Sequence, residues 1–135
     1  MIPVLVFLRG SLCNPWMISI ITIVWNVLTV YCICKMYDID ETIYVAVIAG
    51  ILVCNPTAIA MNASYIIDVD FYALACFLSV LCVYLYKYGC ENYETGNKKL
   101  AILYMIASIV SLAVSLSIYQ AYICVAVGLF MIITS

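Results

Sequence analysis

The residues best able to do chemistry lie in the stretch 55–72, between two long apolar runs. Asn62, Tyr65, Asp68 and Asp70 place an amide, a phenol and two carboxylates close together in the sequence. Carboxylates bind cations or move protons, and amides and phenols form hydrogen bonds with hydroxyl-rich ligands. We interpret the stretch as part of the rim of a membrane-embedded substrate site. The alternative is an ordinary polar loop that ends one helix and begins the next.

A second polar group, Tyr119 and Gln120, interrupts the last apolar run, and Gln120 is the only amide in the charge-free residues 100–134. In the first group, Asp68 and Asp70 flank one valine. This spacing directs both carboxylates to one side of an extended turn but not of a helix. We predict that Tyr119 and Gln120 bind the same substrate as the first group.

The composition places most of the chain in lipid. Of the 135 residues, 69% are hydrophobic and only 9% are charged, whereas a soluble domain carries about 25% charged residues. Water could not solvate so much apolar surface, so membrane lipid is the expected solvent and partner. The net charge of -2 and the lack of a basic stripe exclude a nucleic-acid partner.

The chain has eight cysteines but no histidine and no C-x-x-C pair. These features argue against a zinc site, and we predict neither a metal nor another cofactor. The cysteines are interpreted as small apolar packing residues. The sequence has no P-loop and no nucleophile elbow, so it assigns no catalytic base.

The polar groups must be positioned by apolar helices. Residues 100–134 as one helix would be ~52 Å long, well beyond a ~30 Å hydrocarbon core, so a break is predicted within 115–122. The predicted spans are residues 16–36, 43–61, 71–86 and 100–118, with a fifth beginning in 121–135. The fold class is therefore all-α, a polytopic transmembrane helical bundle of four to five spans in a single membrane-embedded domain, residues 1–135.

Several features refine this bundle. Asn55-Pro56 predicts a kink or an unwound turn in the second span. Asn26, in the middle of the first span, is expected to form a hydrogen bond with another helix. The acidic loop 37–42 is interpreted as solvated charge, and residues 87–99 as the longest polar loop.

The basic residues predict the orientation. Lys35, Lys87, Lys98 and Lys99 fall on one side when the spans alternate, and Arg9 falls alone on the other. By the positive-inside rule, loops 38–41 and 87–99 are cytoplasmic. Residues 62–70 and 119–120 then face the opposite membrane surface, where the two polar groups are predicted to converge.

Two segments resemble bacterial GtrII-type membrane glucosyltransferases, which are of the GT-C class. They are Asn55-Pro56 followed by the apolar helix 71–86, and Ser115-Leu-Ser-Ile-Tyr-Gln-Ala-Tyr122. The resemblance covers residues 11–135. It implies a multi-pass enzyme of the bacterial cytoplasmic (inner) membrane. Such enzymes transfer a sugar, here glucose, from a polyprenyl-phosphate carrier to a cell-surface glycan.

The sequence departs from that family at one point. Related enzymes place an essential aspartate in the first outer loop, but residues 9–14 contain neither Asp nor Glu. The resemblance therefore implies an internal fragment of a longer glycosyltransferase, inactive alone, in which Asp68, Asp70, Tyr119 and Gln120 contact substrate. Two alternatives stay open: a small membrane transporter, whose polar residues should lie within the spans, and a structural membrane subunit.

Overall fold

The computed structural model of the chain describes residues 15–54 and 68–134. Its helices are α1 (Pro15–Met36), α2 (Thr42–Val53), α3 (Val69–Glu94), α4 (Lys98–Ile118) and α5 (Ile123–Thr134), with a 3₁₀ turn, Gln120–Tyr122, between α4 and α5. These two ranges contain no β-strand. The all-α prediction is confirmed, and so is the predicted break after Ile118.

Three of the helices are long and apolar enough to cross a membrane: α1, α3 and α4. The 21 residues of α4 rise by ~32 Å, which matches a ~30 Å hydrocarbon core. The helices α2 and α5 are apolar but have only 12 residues each. Large apolar side chains such as Val27 (61% exposed) and Ile109 (68% exposed) lie on the outside, as expected where lipid is the solvent.

The second predicted span is shorter than expected as a helix. It was predicted over residues 43–61, but α2 ends at Val53, where the Cys54 N–H still donates to the Gly50 carbonyl over 2.8 Å. Pro56 explains an early end, since proline lacks an N–H and disfavours helical geometry at the residue before it. The predicted kink at Asn55-Pro56 and the rest of that span lie outside the described residues.

The third predicted span is longer than expected. Residues 87–94, predicted to begin a loop, continue α3 to Glu94. The Lys87 ammonium lies 3.9 Å from the Glu91 carboxylate one turn later, and the Asn92 side chain donates to the Tyr88 carbonyl over 2.8 Å. Such i,i+4 contacts stabilise helices that leave the hydrocarbon region. The loop between α3 and α4 therefore shrinks to residues 95–97.

The chain divides into two compact units, Met1–Leu74 and Ala75–Ser135. The first unit contains α1, α2 and the start of α3. The turn after α1 places Asp38 at φ 51°, and the Ile39 N–H donates to the Cys34 carbonyl over 2.9 Å. This is a Schellman-type helix end in which aspartate takes the left-handed position that glycine usually occupies. It reverses the chain and makes α2 an antiparallel neighbour of α1.

The second unit contains most of α3, together with α4 and α5. Its first turn uses the same helix end: Gly96 has φ +89°, and the Asn97 N–H donates to the Asn92 carbonyl over 3.1 Å. At the other end of α4, Tyr119 is extended (φ -154°, ψ 114°). At α5, the Phe130 ring lies edge-on to the Tyr86 ring of α3, with 5.2 Å between centroids.

Small residues at seven-residue spacing form the seam between α3 and α4. On α3 they are Ala75, Cys82 and Gly89, and on α4 they are Ala101, Ser108 and Ser115. An antiparallel register pairs the beginning of the first set with the end of the second. A seven-residue period keeps one face of each helix on the other, and small side chains let the two backbones approach closely.

Serine hydroxyls cross this seam. The Ser115 hydroxyl donates to the Ala75 carbonyl over 2.7 Å, and it shares a hydrogen bond of 2.7 Å with the Ser79 hydroxyl. The Ser108 hydroxyl donates to the Cys82 carbonyl over 2.9 Å, and Ser111 donates to the Leu78 carbonyl over 2.8 Å. Ser79 and Ser115 are 0% and 1% exposed, so their hydroxyls are satisfied without water.

Candidate functional site

Asp68 and Asp70 lie at the beginning of α3, where the predicted extended turn becomes a helix. The Asp68 carbonyl accepts hydrogen bonds from the N–H groups of Phe71 (3.1 Å) and Tyr72 (3.2 Å). Asp70 is in the first helical turn, where the positive end of the helix dipole stabilises a carboxylate. The two aspartates therefore also have a purely structural role, which is to begin α3.

Burial separates the two aspartates, although the sequence treats them alike. Asp68 is half-buried, whereas Asp70 is only 4% exposed. A ligand at the membrane surface can reach the first carboxylate more easily than the second. Asp68 is therefore the more accessible of the two carboxylates, and substrate contact by Asp68 or Asp70 stays a prediction.

Tyr119 and Gln120 lie at the break between α4 and α5. The Tyr119 N–H donates to the Ser115 carbonyl over 3.0 Å, and its ring lies edge-on to the Tyr122 ring with 5.6 Å between centroids. Tyr119 is half-buried and Gln120 is exposed. The backbone break thus presents one phenol and one carboxamide at a helix end, which suits hydrogen bonds to hydroxyl groups.

The other predicted site residues, Asn62 and Tyr65, lie outside the described residues. The aspartates belong to the first compact unit, while Tyr119 and Gln120 belong to the second. The convergence of these two polar groups on one substrate stays a prediction.

The first unit holds a cavity of about 1120 Å³ between α1 and α2. One face of α1, from Ile18 to Lys35, lines it, and Val45, Ala49 and Val53 of α2 lie opposite. Val69, the residue between Asp68 and Asp70, also contributes to the wall. From Ile18 to Lys35 the cavity extends ~26 Å along α1, which is most of the hydrocarbon thickness of a bilayer.

The cavity is polar at one end and at its middle. Lys35, Asp38 and Asp40 line the end at the α1–α2 turn, and all three are exposed. The Lys35 ammonium lies 5.8 Å from the centroid of the Tyr31 ring. Asn26, half-buried, lines the middle. The Asn26 amide thus lines the space between α1 and α2, and its predicted hydrogen bond with another helix stays a prediction.

Tyr37, at the same turn, has a phenol oxygen that is shielded from solvent and has no hydrogen-bond partner in the described part of the chain. Burial raises the pKa of Tyr37 above its ordinary value, so the phenol is neutral at physiological pH. Charge at this turn comes from Lys35 and the aspartates.

The family comparison decides between the classes of protein that the sequence left open. The family model described as "Glucosyl transferase GtrII" matches residues 4–134. The chain belongs to the GtrII family. No curated protein and no solved structure matches it.

GtrII membership and the three long apolar helices together support a membrane glucosyltransferase. The predicted resemblance is confirmed over nearly the whole chain. Of the predicted site residues, Asp68 at the start of α3 is half-buried, Tyr119 at the end of α4 is half-buried, and Gln120 is exposed.

Two features of the structure are not evident from the sequence. The first is the cavity, whose walls are residues of both α1 and α2. The sequence does not show which of these residues face each other until the two helices are packed together. The second, the serine seam, has a sequence signal, which is the recurrence of Ala101, Ser108 and Ser115 every seven residues. This signal is easily overlooked, because small residues hardly change the hydropathy of an apolar run. Cys82 in this seam is buried, in agreement with a packing role for that cysteine.

Proposed function

We propose that this GtrII-family chain is part of an integral membrane glucosyltransferase. It moves glucose from a polyprenyl-phosphate carrier to a cell-surface glycan, in a multi-pass arrangement in the bacterial cytoplasmic membrane. The observation that carries this proposal is the family match over residues 4–134. The three helices of membrane-spanning length support it, because a lipid-linked donor is reached from within the bilayer.

The proposed substrate-binding groups are Asp68, Asp70, Tyr119 and Gln120, together with Asn62 and Tyr65. A half-buried carboxylate at a helix start accepts hydrogen bonds from sugar hydroxyls, and a phenol and a carboxamide can both donate and accept them. Asp70, which is almost fully buried, is the less accessible member of this group and also lies in the first turn of α3.

The test is sugar transfer by membranes that contain the protein expressed from its complete reading frame. Losing a hydrogen bond to a charged group costs ~1.5–3 kcal/mol, so Asp68→Asn should lower transfer about tenfold to a hundredfold. Tyr119→Phe, which removes one hydroxyl, should lower it by less. Glu94→Gln is the matched control, because Glu94 is an exposed carboxylate at the opposite end of α3.

Insertion into the membrane must be equal in all variants for the comparison to hold. Full activity in both Asp68→Asn and Tyr119→Phe would contradict the proposed binding groups. A uniform loss that includes Glu94→Gln would point to folding instead of substrate contact.

A further inference from the structure

Asp68, Tyr119 and Gln120 do not line the cavity between α1 and α2. The residues that do line it indicate what fills it. From Asn26 to Lys35 the rise along α1 is ~13 Å, close to the depth of one leaflet in a ~30 Å hydrocarbon core. Over this depth the walls are mainly apolar, with Val27 and Val30 on α1 and Val45 and Ala49 on α2. Val27 is 61% exposed, so the cavity is open towards lipid.

The charged end is chemically specific. It combines one cation, Lys35, with two carboxylates, Asp38 and Asp40. No ion pair joins Lys35 to either aspartate in the described part of the chain. A purely anionic headgroup would be attracted by Lys35 but repelled by the two aspartates. A purely cationic headgroup would be attracted by the aspartates but repelled by Lys35. A group that carries both charges matches all three side chains.

We propose that this cavity binds a bilayer phospholipid whose headgroup carries a primary ammonium, namely phosphatidylethanolamine. Its phosphate contacts Lys35, its ammonium donates to Asp38 and Asp40, and its acyl chains lie against Val27 and Val45. This lipid site is independent of glucosyl transfer, so it holds even if the proposed substrate is wrong.

The ammonium is what distinguishes this lipid from its neighbours in a membrane. A primary ammonium offers three N–H donors to the carboxylates, whereas the trimethylated headgroup of phosphatidylcholine offers none. A phosphatidylglycerol headgroup has no cation for Asp38 and Asp40. Selectivity should therefore fall as N–H groups are replaced by methyl groups, with the acyl chains held constant.

The experiment is lipid binding to the purified, delipidated protein, measured by native mass spectrometry. The probes are dioleoyl phosphatidylethanolamine, its mono- and dimethyl derivatives, phosphatidylcholine, phosphatidylglycerol and a polyprenyl phosphate. One exposed ion pair changes binding by up to about fivefold. Because phosphatidylcholine keeps the positive charge and loses only the N–H donors, phosphatidylethanolamine should bind better than phosphatidylcholine by up to about fivefold. The methylated lipids should fall between them.

Variants locate the headgroup. The double substitution Asp38→Asn and Asp40→Asn should remove the preference for the primary ammonium, and asparagine tolerates the positive φ of residue 38. Glu94→Gln, which removes an exposed carboxylate outside the cavity, should leave the preference unchanged. The methylation series on the wild-type protein tests the proposal even if the double variant does not fold.

A second pair of variants locates the acyl chains. Val27→Trp should weaken lipid binding by filling the cavity, whereas Val24→Trp should not, because Val24 is 50% exposed but does not line the cavity.

Equal binding of all the methylated lipids to the wild-type protein would overturn the proposal. So would stronger binding of phosphatidylglycerol or polyprenyl phosphate, since it would assign the cavity to an anionic lipid. Cross-links between Val27 residues of two copies in a bilayer would assign it to a second copy of the chain.

Discussion

Ser115→Leu tests the serine seam between α3 and α4. Ser115 is 1% exposed, and its hydroxyl makes two contacts of 2.7 Å, with the Ala75 carbonyl and the Ser79 hydroxyl. Leucine cannot form either hydrogen bond and adds carbon atoms where the two backbones are close. Both effects should separate the helices.

The magnitude follows from two contributions. Overpacking a well-packed site costs ~1–3 kcal/mol, and a hydrogen bond between membrane helices is worth ~0.6 kcal/mol on average. The overpacking cost and two lost hydrogen bonds add up to roughly 2–4 kcal/mol. At 1.4 kcal/mol per tenfold, this raises the equilibrium constant for local separation of α3 and α4 about 30- to 700-fold. Ser115→Ala, which removes only the hydrogen bonds, should have a smaller effect.

Hydrogen–deuterium exchange in lipid nanodiscs is the appropriate assay. It reports local opening, and the two compact units need not unfold together. Peptides covering residues 78–82 and 108–115 should exchange faster in Ser115→Leu. The control is Ser117→Leu on the same helix, because Ser117 is exposed and bonds only to its own helix, at the Ala113 carbonyl. Equal exchange in the two leucine variants would show that the Ser115 contacts do not hold α3 and α4 together.

Four further predictions concern the glycines and the orientation. Gly96→Ala should destabilise the protein by ~1–2 kcal/mol, because Gly96 has φ +89°. Gly50→Ala should stabilise α2 by ~0.5–1 kcal/mol, because Gly50 is helical and has open space around it. Thermal melts should therefore show a lower melting temperature for Gly96→Ala and a higher one for Gly50→Ala. Shifts of both melting temperatures in the same direction would contradict these two predictions. Gly89→Ala should be tolerated, because the added Cβ would lie 3.4 Å from Met105 Cγ, an ordinary van der Waals contact. Gly89→Leu, with a larger side chain, should broaden the size-exclusion peak. Identical peaks for the two variants would argue against close packing at Gly89. Asn97→Cys should add no labelling by an impermeant thiol reagent in intact cells, and new labelling would invert the predicted orientation.

The ends of some helices follow directly from the sequence, and others do not. Met36 and Ile118 were placed correctly as helix ends, because each precedes a change in polarity or a break forced by bilayer thickness. The end of α3 differs: the sequence predicts a span that ends at residue 86, whereas the helix ends at Glu94. Hydropathy indicates where a helix leaves the lipid, but the helix can continue beyond that point in water. Lys87 and Glu91 continue the helix by pairing with each other one turn apart.

The candidate site was only partly predictable for a related reason. The sequence identifies Asp68 and Asp70 as chemically equivalent, but the start of α3 buries one and leaves the other accessible. That difference depends on how a helix begins, which the i,i+2 spacing alone does not specify. Asp38 and Asp40 are exposed, in agreement with the predicted solvated loop charge. The cavity beside them is not evident from the sequence, because its wall exists only after α2 packs against α1.

The most direct test of the central claim is the identity of the sugar donor. Membranes containing the protein, expressed from its complete reading frame, are supplied with labelled glucose either on a polyprenyl phosphate or on a nucleotide. Label from the lipid-linked donor should enter the surface glycan, and the nucleotide sugar should be inert without the carrier. Transfer from the nucleotide sugar while the lipid-linked donor stays inert would contradict the proposed donor.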